Sequence, residues 1–549
     1  MKTVTSRRAT FYWVSIAAIL FIPFLGNVHL FDWDEINFAE IAREMVVSNN
    51  YGEPQINFIP FTEKPPLFFW LQAISMKIFG INEFAARFPN ALLGVLVLPL
   101  LYHTGKKLRD NRYGILWALV YVGTVLPHLY FKSGIIDPWF NFFIFSSLHC
   151  LVLAAWKRSA QKNNTWLLIA GGAFLGLAIL TKGPAALLIV GLAFVVYWLS
   201  EKCRMFISIP QLLIFAVATL LVTGLWFGIN YLQYGSKFTV DFTIRQWQLL
   251  TTEDAGHGGF FLYHFVVIFF GCFPATVFLL QSLFNSTGST RHFADYKKWM
   301  AVLFWVVLIL FTIVKTKIVH YSSLCYYPLS FLSAVSLYNI VTGKWVMKRW
   351  MKWVLVVSGL PFLIAPFAAA WFGKHIDQLK PLLEQDPFAV ENLQANIHWS
   401  GWEFLPGLWL ILVLVVSFIW MKQKEFMKAF YLLFAGTAIY VQLTLFFLIK
   451  RIEGYSQRAN IEFFKSHAKE DCYMATYDYL SYTLFFYGEM KPHPNKNYSE
   501  KEWLFKGSID KPVYISCRVE GKVKLEKEIR DAVFLYNSNG FYFYKRLPK

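Results

Sequence analysis

Asp32-Trp33-Asp34-Glu35 follows directly on the apolar run Phe11 to Leu30, and Glu63-Lys64-Pro65-Pro66 opens another, Leu67 to Phe79. Between them runs a loop, Phe31 to Arg87, whose charges stand at the edges of two greasy stretches. Charged side chains at membrane depth are costly and mark a substrate path or a catalytic group. The ordinary alternative is a short interfacial loop with solvated charges. Clustering, and further charges placed on the same side of the membrane, favour the functional reading.

Working outward, the 549 residues are 56% hydrophobic and only 16% charged, too apolar for a soluble chain of this length. The net charge of +18 could suggest nucleic acid, but the basic residues fall in short clusters between apolar runs. That is how a multi-spanning protein is anchored, so no nucleic-acid partner is expected. Arg7 and Arg8 precede the first run, and no small-x-small site follows it, which reads as an uncleaved first span.

Stretches long enough to cross the hydrocarbon are 11–30, 88–104, 113–131, 138–156, 165–181, 183–200, 208–231, 260–283, 299–315, 320–340, 351–373, 404–420 and 427–449, about thirteen spans. The run 67–79 is too short and reads as an interfacial helix. Lys106, Lys107, Arg109 and Arg112 fall in one short loop, and Lys157, Arg158 and Lys162 in another. Every alternate loop is basic in this way, so these face the cytoplasm with the amino terminus. With an odd number of spans, residues 450–549 then lie outside.

The opposite loops carry another inventory: Asp137 before Pro138, Lys182 in Thr181-Lys182-Gly183-Pro184, Arg245, the stretch Glu253 to Gly259 containing His257, and Lys315 to Tyr321 with Lys317. Several have ordinary readings. Lys182 could snorkel from a helix end, Asp137 could start a helix with Pro138 at its first position, and His257 among glycines could be a turn residue. Together, however, cations suited to a phosphate head group and carboxylates suited to sugar chemistry meet at one membrane face. That combination points to glycosyl transfer from a lipid phosphate carrier.

The stretch Asp34-Glu35-Ile36-Asn37-Phe38-Ala39-Glu40-Ile41-Ala42-Arg43-Glu44-Met45 resembles the first-loop signature of the lipid A aminoarabinose transferases, relatives of the protein O-mannosyltransferases. Phe61 to Leu67, Ala85 to Pro89, Asp137-Pro138, Leu180 to Pro184 and Ala255 to Gly259 extend the resemblance, in unchanged order, over most of residues 11–340. It implies an all-α polytopic membrane protein of GT-C fold in the bacterial inner membrane. It also implies a polyprenyl (undecaprenyl) phosphate sugar donor, lipid A or another envelope acceptor, and an inverting reaction that needs no metal. By position it assigns Asp34 and Asp137 to catalysis, Lys64 and Lys182 to the carrier phosphate with Tyr321 near it, and Glu63 to the side of the cavity. From the residues themselves, Glu35 joins the catalytic acids, and Arg245 and Lys317 join the cations for the carrier phosphate and sugar. A structural zinc on Glu63 and His257 is conceivable, since carboxylate and imidazole are suitable ligands. One departure is Asn37, where the family commonly has arginine.

Residues 1–449 thus read as the transmembrane domain, including the outer loop 31–87, and 450–549 as a small α/β periplasmic domain. In the latter, Pro512 to Ser516 and Ala532 to Tyr536 read as strands. Asn537-Ser538-Asn539-Gly540 turns the chain into Phe541 to Tyr544. Segments 455–467 and 520–531 read as helices. Cys472 and Cys517 are the only cysteines outside, where a disulfide would be permitted. Two other functions compete. Protein O-glycosylation shares the acidic first loop. A transporter would bury charges near mid-membrane and repeat its helices, whereas Asp137, Lys182 and His320 lie at span ends and the halves show no self-similarity.

Overall fold

The computed structural model describes residues 6–251, 258–285 and 290–548. The chain is mostly helical. α1 (Ser6–Phe21) stops well before Leu30, because Pro23 denies the helix a backbone donor and restricts the residue before it. α2 (Asp34–Ser48), the short pair β1 (Gln55–Ile56) and β2 (Ile59–Pro60), and α3 (Leu67–Phe79) make up the first loop. α4 (Glu83–Leu108) follows, begun by Asn82, whose side chain accepts from the Ala85 amide. The expected span 113–131 is broken at Gly123-Thr124 into α5 (Asn111–Val122) and α6 (Val125–Tyr130). Gly123 is required there: a Cβ would sit 2.3 Å from the Phe434 carbonyl oxygen.

α7 (Asp137–Ser159), α8 (Thr165–Lys182), α9 (Ala185–Ser200) and α10 (Ile209–Tyr234) run on as a helical stack. α11 (Lys237–Thr251) comes next. α12 (Tyr263–Gly271) and α13 (Ala275–Phe284) meet at a 115° bend, and α14 (Arg291–Ile313) leads through a 3-10 turn, Val319–Cys325, into α15 (Tyr326–Val341). α16 (Arg349–Lys374), the short α17 (Pro387–Asn392), α18 (Leu405–Lys422) and α19 (Phe426–Thr444) complete the helical body. α19 ends in a π-turn, Leu445–Ile449. Among the described residues, nine helices are long and apolar enough to cross a membrane, or ten if the bent α12–α13 pair is one span. α1, α9 and the broken α5–α6 pair are shorter than that measure.

α15 is the centre. Its residues Tyr326, Tyr327, Leu329, Phe331 and Leu332 are fully buried, packed with Tyr113 and Trp117 of α5 and Tyr296 of α14. α10 lies at the other extreme: Leu213, Leu220, Leu221, Leu225 and Leu232 are exposed. An exposed leucine row of that length is tolerable only against lipid. This is a multi-span membrane protein.

After α20 (Lys450–Ser456) and α21 (Arg458–His467), the chain forms a mixed sheet of four strands, β3 (Tyr473–Tyr477), β4 (Val513–Arg518), β5 (Ala532–Ser538) and β6 (Phe541–Arg546). They are ordered β3-β4-β6-β5, with β3–β4 parallel and the rest antiparallel. α22 (Thr483–Phe486), α23 (Lys501–Lys506) and α24 (Val519–Glu528) accompany it. Cys472 and Cys517 are buried free thiols and form no disulfide.

Candidate active site

The first loop is fixed in place by one buried ion pair. Arg87, near the start of α4, donates from Nε and a terminal nitrogen to the two oxygens of Glu35, at 3.0 and 2.7 Å. It also donates to the carbonyls of Leu25, Val28 and His29. The Phe31 and Gly134 amides donate to the same Glu35 carboxylate at 3.0 and 2.5 Å. Burial pushes the Glu35 carboxyl upward, but the Arg87 charge and these hydrogen bonds outweigh it and hold the group below the usual carboxylate range. Glu35, expected in catalysis, therefore has both oxygens committed to a strut joining the end of α1, the start of α2, α4 and the loop before α7. The sequence could not reveal this, because the two partners are far apart in the chain.

Asp34, one residue earlier, faces outward into a cavity of about 1150 Å³. Its side chain is 44% exposed, with Oδ2 3.8 Å from Nε2 of His320. His320 Nδ1 is in turn 2.8 Å from the Tyr130 hydroxyl. Across the cavity, Glu63 and Arg245 are paired at 3.4 Å. Asn37, Lys132, Lys450, Arg451 and Tyr482 also line the wall, and Phe24 and Phe446 give it an apolar margin. The cavity thus combines an available carboxylate, several cations and a greasy edge.

Beside it lies a smaller cavity of about 300 Å³, lined by Lys64, Asp137, Lys182, Gln246 and Tyr321 among apolar side chains of α7, α9 and α14. Lys182 ends α8, where Gly183 (φ +104°) breaks the helix, and its ammonium is 2.6 Å from Asp137 Oδ1. Asp137 is 2% exposed, and its Oδ2 has no hydrogen-bond partner among the described residues. Burial lowers the pKa of the Lys64 ammonium; Glu63 and Asp34 oppose the shift, and Lys182 and Arg245 add to it. Two cations held close in apolar surroundings form a ready seat for an anion.

Lys317, expected on the carrier phosphate, is spent elsewhere: its ammonium donates to the carbonyls of Phe311, Thr312 and Val314 at 3.1, 2.7 and 2.6 Å. It caps the C-terminus of α14 and lines neither cavity. Its neighbour His320 is the residue the sequence reading passed over as a site group, although it stands directly before Tyr321. His257 lies outside the described residues, as does most of the stretch around it. Among the described residues, no group of three His, Cys, Asp or Glu could hold a metal.

Known proteins resemble this chain in sequence and in fold. A family model described as dolichyl-phosphate-mannose-protein mannosyltransferase matches residues 63–227, a range that includes Glu63, Lys64, Asp137 and Lys182. The undecaprenyl phosphate-alpha-4-amino-4-deoxy-L-arabinose arabinosyl transferase of Wigglesworthia glossinidia brevipalpis is 27% identical over 334 residues, 58% of each chain. That of Yersinia enterocolitica is 26% identical over 419 residues, 73% of this chain and 72% of the relative. ArnT from Cupriavidus metallidurans, solved bound to undecaprenyl phosphate, superposes with a TM-score of 0.76 at 16% identity, covering 99% of this chain and 98% of that one. The chain shares the fold of that ArnT over nearly its whole length and is similar in sequence to these transferases. The match spans somewhat over half the length of the first of these relatives. The same GT-C fold reaches an archaeal oligosaccharyltransferase of Archaeoglobus fulgidus at a TM-score of 0.51 and 12% identity, covering 98% of this chain and 74% of that one.

Proposed function

We propose that this GT-C protein is an inverting membrane glycosyltransferase that moves a sugar from a polyprenyl phosphate to lipid A or a related envelope glycolipid. The observation that carries the reading is the pair of adjoining cavities. One is small, apolar and doubly cationic at Lys64 and Lys182; the other is large, with Asp34 available on its wall. The carrier phosphate sits between Lys64 and Lys182, with its tail along the apolar side chains of α9. The names of the relatives, which act with undecaprenyl phosphate and aminoarabinose, support the same substrates.

The acceptor oxygen attacks the anomeric carbon from the large cavity as the carbon–oxygen bond to the carrier phosphate breaks. The lipid phosphate leaves with the electron pair, its charge met by the two lysines. A hydroxyl acceptor gives its proton to Asp34; an acceptor phosphate, already ionised, needs only to be oriented by it. Glu63 and Arg245 line the acceptor side, and Asp137 holds Lys182 at the donor side.

The proposed setting is the bacterial inner membrane, crossed thirteen times: by the ten spans that the longer helices provide, and by α1, α5–α6 and α9. The basic loops put the amino terminus in the cytoplasm and residues 450–549 outside as a separate domain. Mass spectrometry of lipid A tests the function, in a deletion strain complemented with the wild type or Asp34→Asn. A sugar-sized mass gain that needs Asp34 is expected. Unmodified lipid A beside glycosylated envelope protein would instead establish the protein O-glycosyltransferase suggested by the matching family model's description.

A further inference from the structure

We infer that His320 is the positioning residue for Asp34, an inference that rests on the glycosyltransferase reading above. It stands at the start of the 3-10 turn, where Lys317 binds the end of α14 and fixes the approach of the loop. Its ring contacts two groups from different elements. Nδ1 is 2.8 Å from the hydroxyl of Tyr130, the last residue of α6, and the two rings meet edge to face at 5.6 Å. Nε2 is 3.8 Å from Asp34 Oδ2.

A nitrogen lone pair aimed at a carboxylate is repelled, so Nε2 carries the hydrogen that faces Asp34, with Nδ1 on the Tyr130 hydroxyl. The ring therefore offers Asp34 one N–H from a set direction and leaves Oδ1 to the cavity. At 3.8 Å the contact is longer than a hydrogen bond and within reach of one by a small rotation of either side chain. Without the imidazole, Asp34, nearly half exposed, turns among rotamers. His320 touches neither reacting atom in this scheme; it acts through Asp34.

Glutamine and asparagine separate this role from simple packing. The amide nitrogen of glutamine reaches the place of Nε2, whereas that of asparagine reaches only the place of Nδ1. Purified wild type, His320→Gln, His320→Asn and Asp34→Asn, and the double variant Asp34→Asn/His320→Asn, are assayed with a polyprenyl-phosphate sugar and lipid A. The melting temperature of each is measured alongside. His320→Asn is expected to lose about 100-fold in kcat with donor KM within about twofold, and His320→Gln to recover to within about fivefold of wild type. In the double variant, the histidine change adds almost nothing to the loss caused by Asp34→Asn, as for groups that act as a unit. Equal activities of the Gln and Asn variants, at equal melting temperatures, overturn the assignment, and so do fully additive losses. If the wild type transfers no sugar, the reading of the function falls and this assignment falls with it. If the wild type is active and both variants match it, only His320 is struck out.

Discussion

Glu35 is held below the ordinary carboxylate value of 4.5 by Arg87 although burial pushes it the other way. It therefore contributes stability that is complete above that value and is lost as the pH falls through its lower value in the fold. Glu44, on the same helix, has the opposite sign. Burial and the neighbouring Glu40, itself bound to Arg43 at 2.6 Å, push Glu44 up to about 9. The fold thus holds a proton that the unfolded chain has released, and stability drains away as the pH rises from about 4.5 to about 9. Glu44→Gln is expected to raise the melting temperature at pH 8 while changing it little at pH 4.5; parallel curves for variant and wild type would refute this. Glu35→Gln leaves Arg87 buried without its counter-charge and is expected to cost about 3–5 kcal/mol, measured as lost thermal stability in detergent. Acidic clustering was legible at Asp34-Glu35, but not the division of labour between them. Alternating exposure along the first turn of α2 sends one residue to the cavity and the next to Arg87, and partners distant in the chain leave no local trace. The bonds of Lys317 were hidden for the same reason: a lysine three to six residues beyond a run of helical carbonyls folds back to cap them, and nothing in the charge pattern distinguishes that from a lysine left for substrate.

At the scale of the elements, the proposed donor side depends on how closely α8 approaches α10. Gly172 carries no side chain where a Cβ would lie 2.3 Å from the Phe215 carbonyl oxygen, and Gly176 where one would lie 2.7 Å from Val222. Thr219 donates to the Gly172 carbonyl at 3.0 Å, the kind of small-residue contact by which membrane helices associate. Gly172→Val is expected to force the helices apart at a cost of about 1–3 kcal/mol. Because Lys182 rides at the end of α8, donor KM should rise while acceptor KM stays near the wild-type value. Kinetics against both substrates check this; equal change in both KM values would detach α8 from the donor site. The Thr181-Lys182-Gly183-Pro184 break was readable because Gly and Pro punctuate helices by backbone chemistry alone. The hairpin of β5 and β6 was readable from Asn539-Gly540 between aromatic runs, whereas β3 went unseen, since its five residues are all buried and show no alternation. The break between α5 and α6 was also invisible, because the carbonyl of Phe434 that forces glycine there arrives from a helix late in the chain.

Over the whole molecule, the carboxyl-terminal sheet unit closes on the first loop. Ser481 and the Tyr482 amide donate to Asp32, Gln457 donates to the Leu30 carbonyl at 2.6 Å, and the Leu30 amide donates to the Tyr487 hydroxyl at 2.7 Å. Tyr482 from this unit also lines the large cavity. In the proposed thirteen-crossing arrangement this unit and the loop lie on one side and the basic loops on the other. In a Cys203→Ser background, an impermeant maleimide is expected to label Lys527→Cys in intact spheroplasts. It should label Asn163→Cys only after permeabilisation; the reverse pattern would invert the topology.

Glu63, Arg245 and His320 line the large cavity and their chain neighbours Lys64, Gln246 and Tyr321 the small one, so three peptide bonds run along the partition between them. Such a wall cannot move for one occupant without being moved for the other. With donor and acceptor placed as proposed, a shift of this backbone that one of them induces changes the affinity for the other, and linkage requires the same factor in return. The two substrates are thermodynamically on speaking terms before any bond between them forms, and the order in which they arrive is free to vary while the product of their affinities is not.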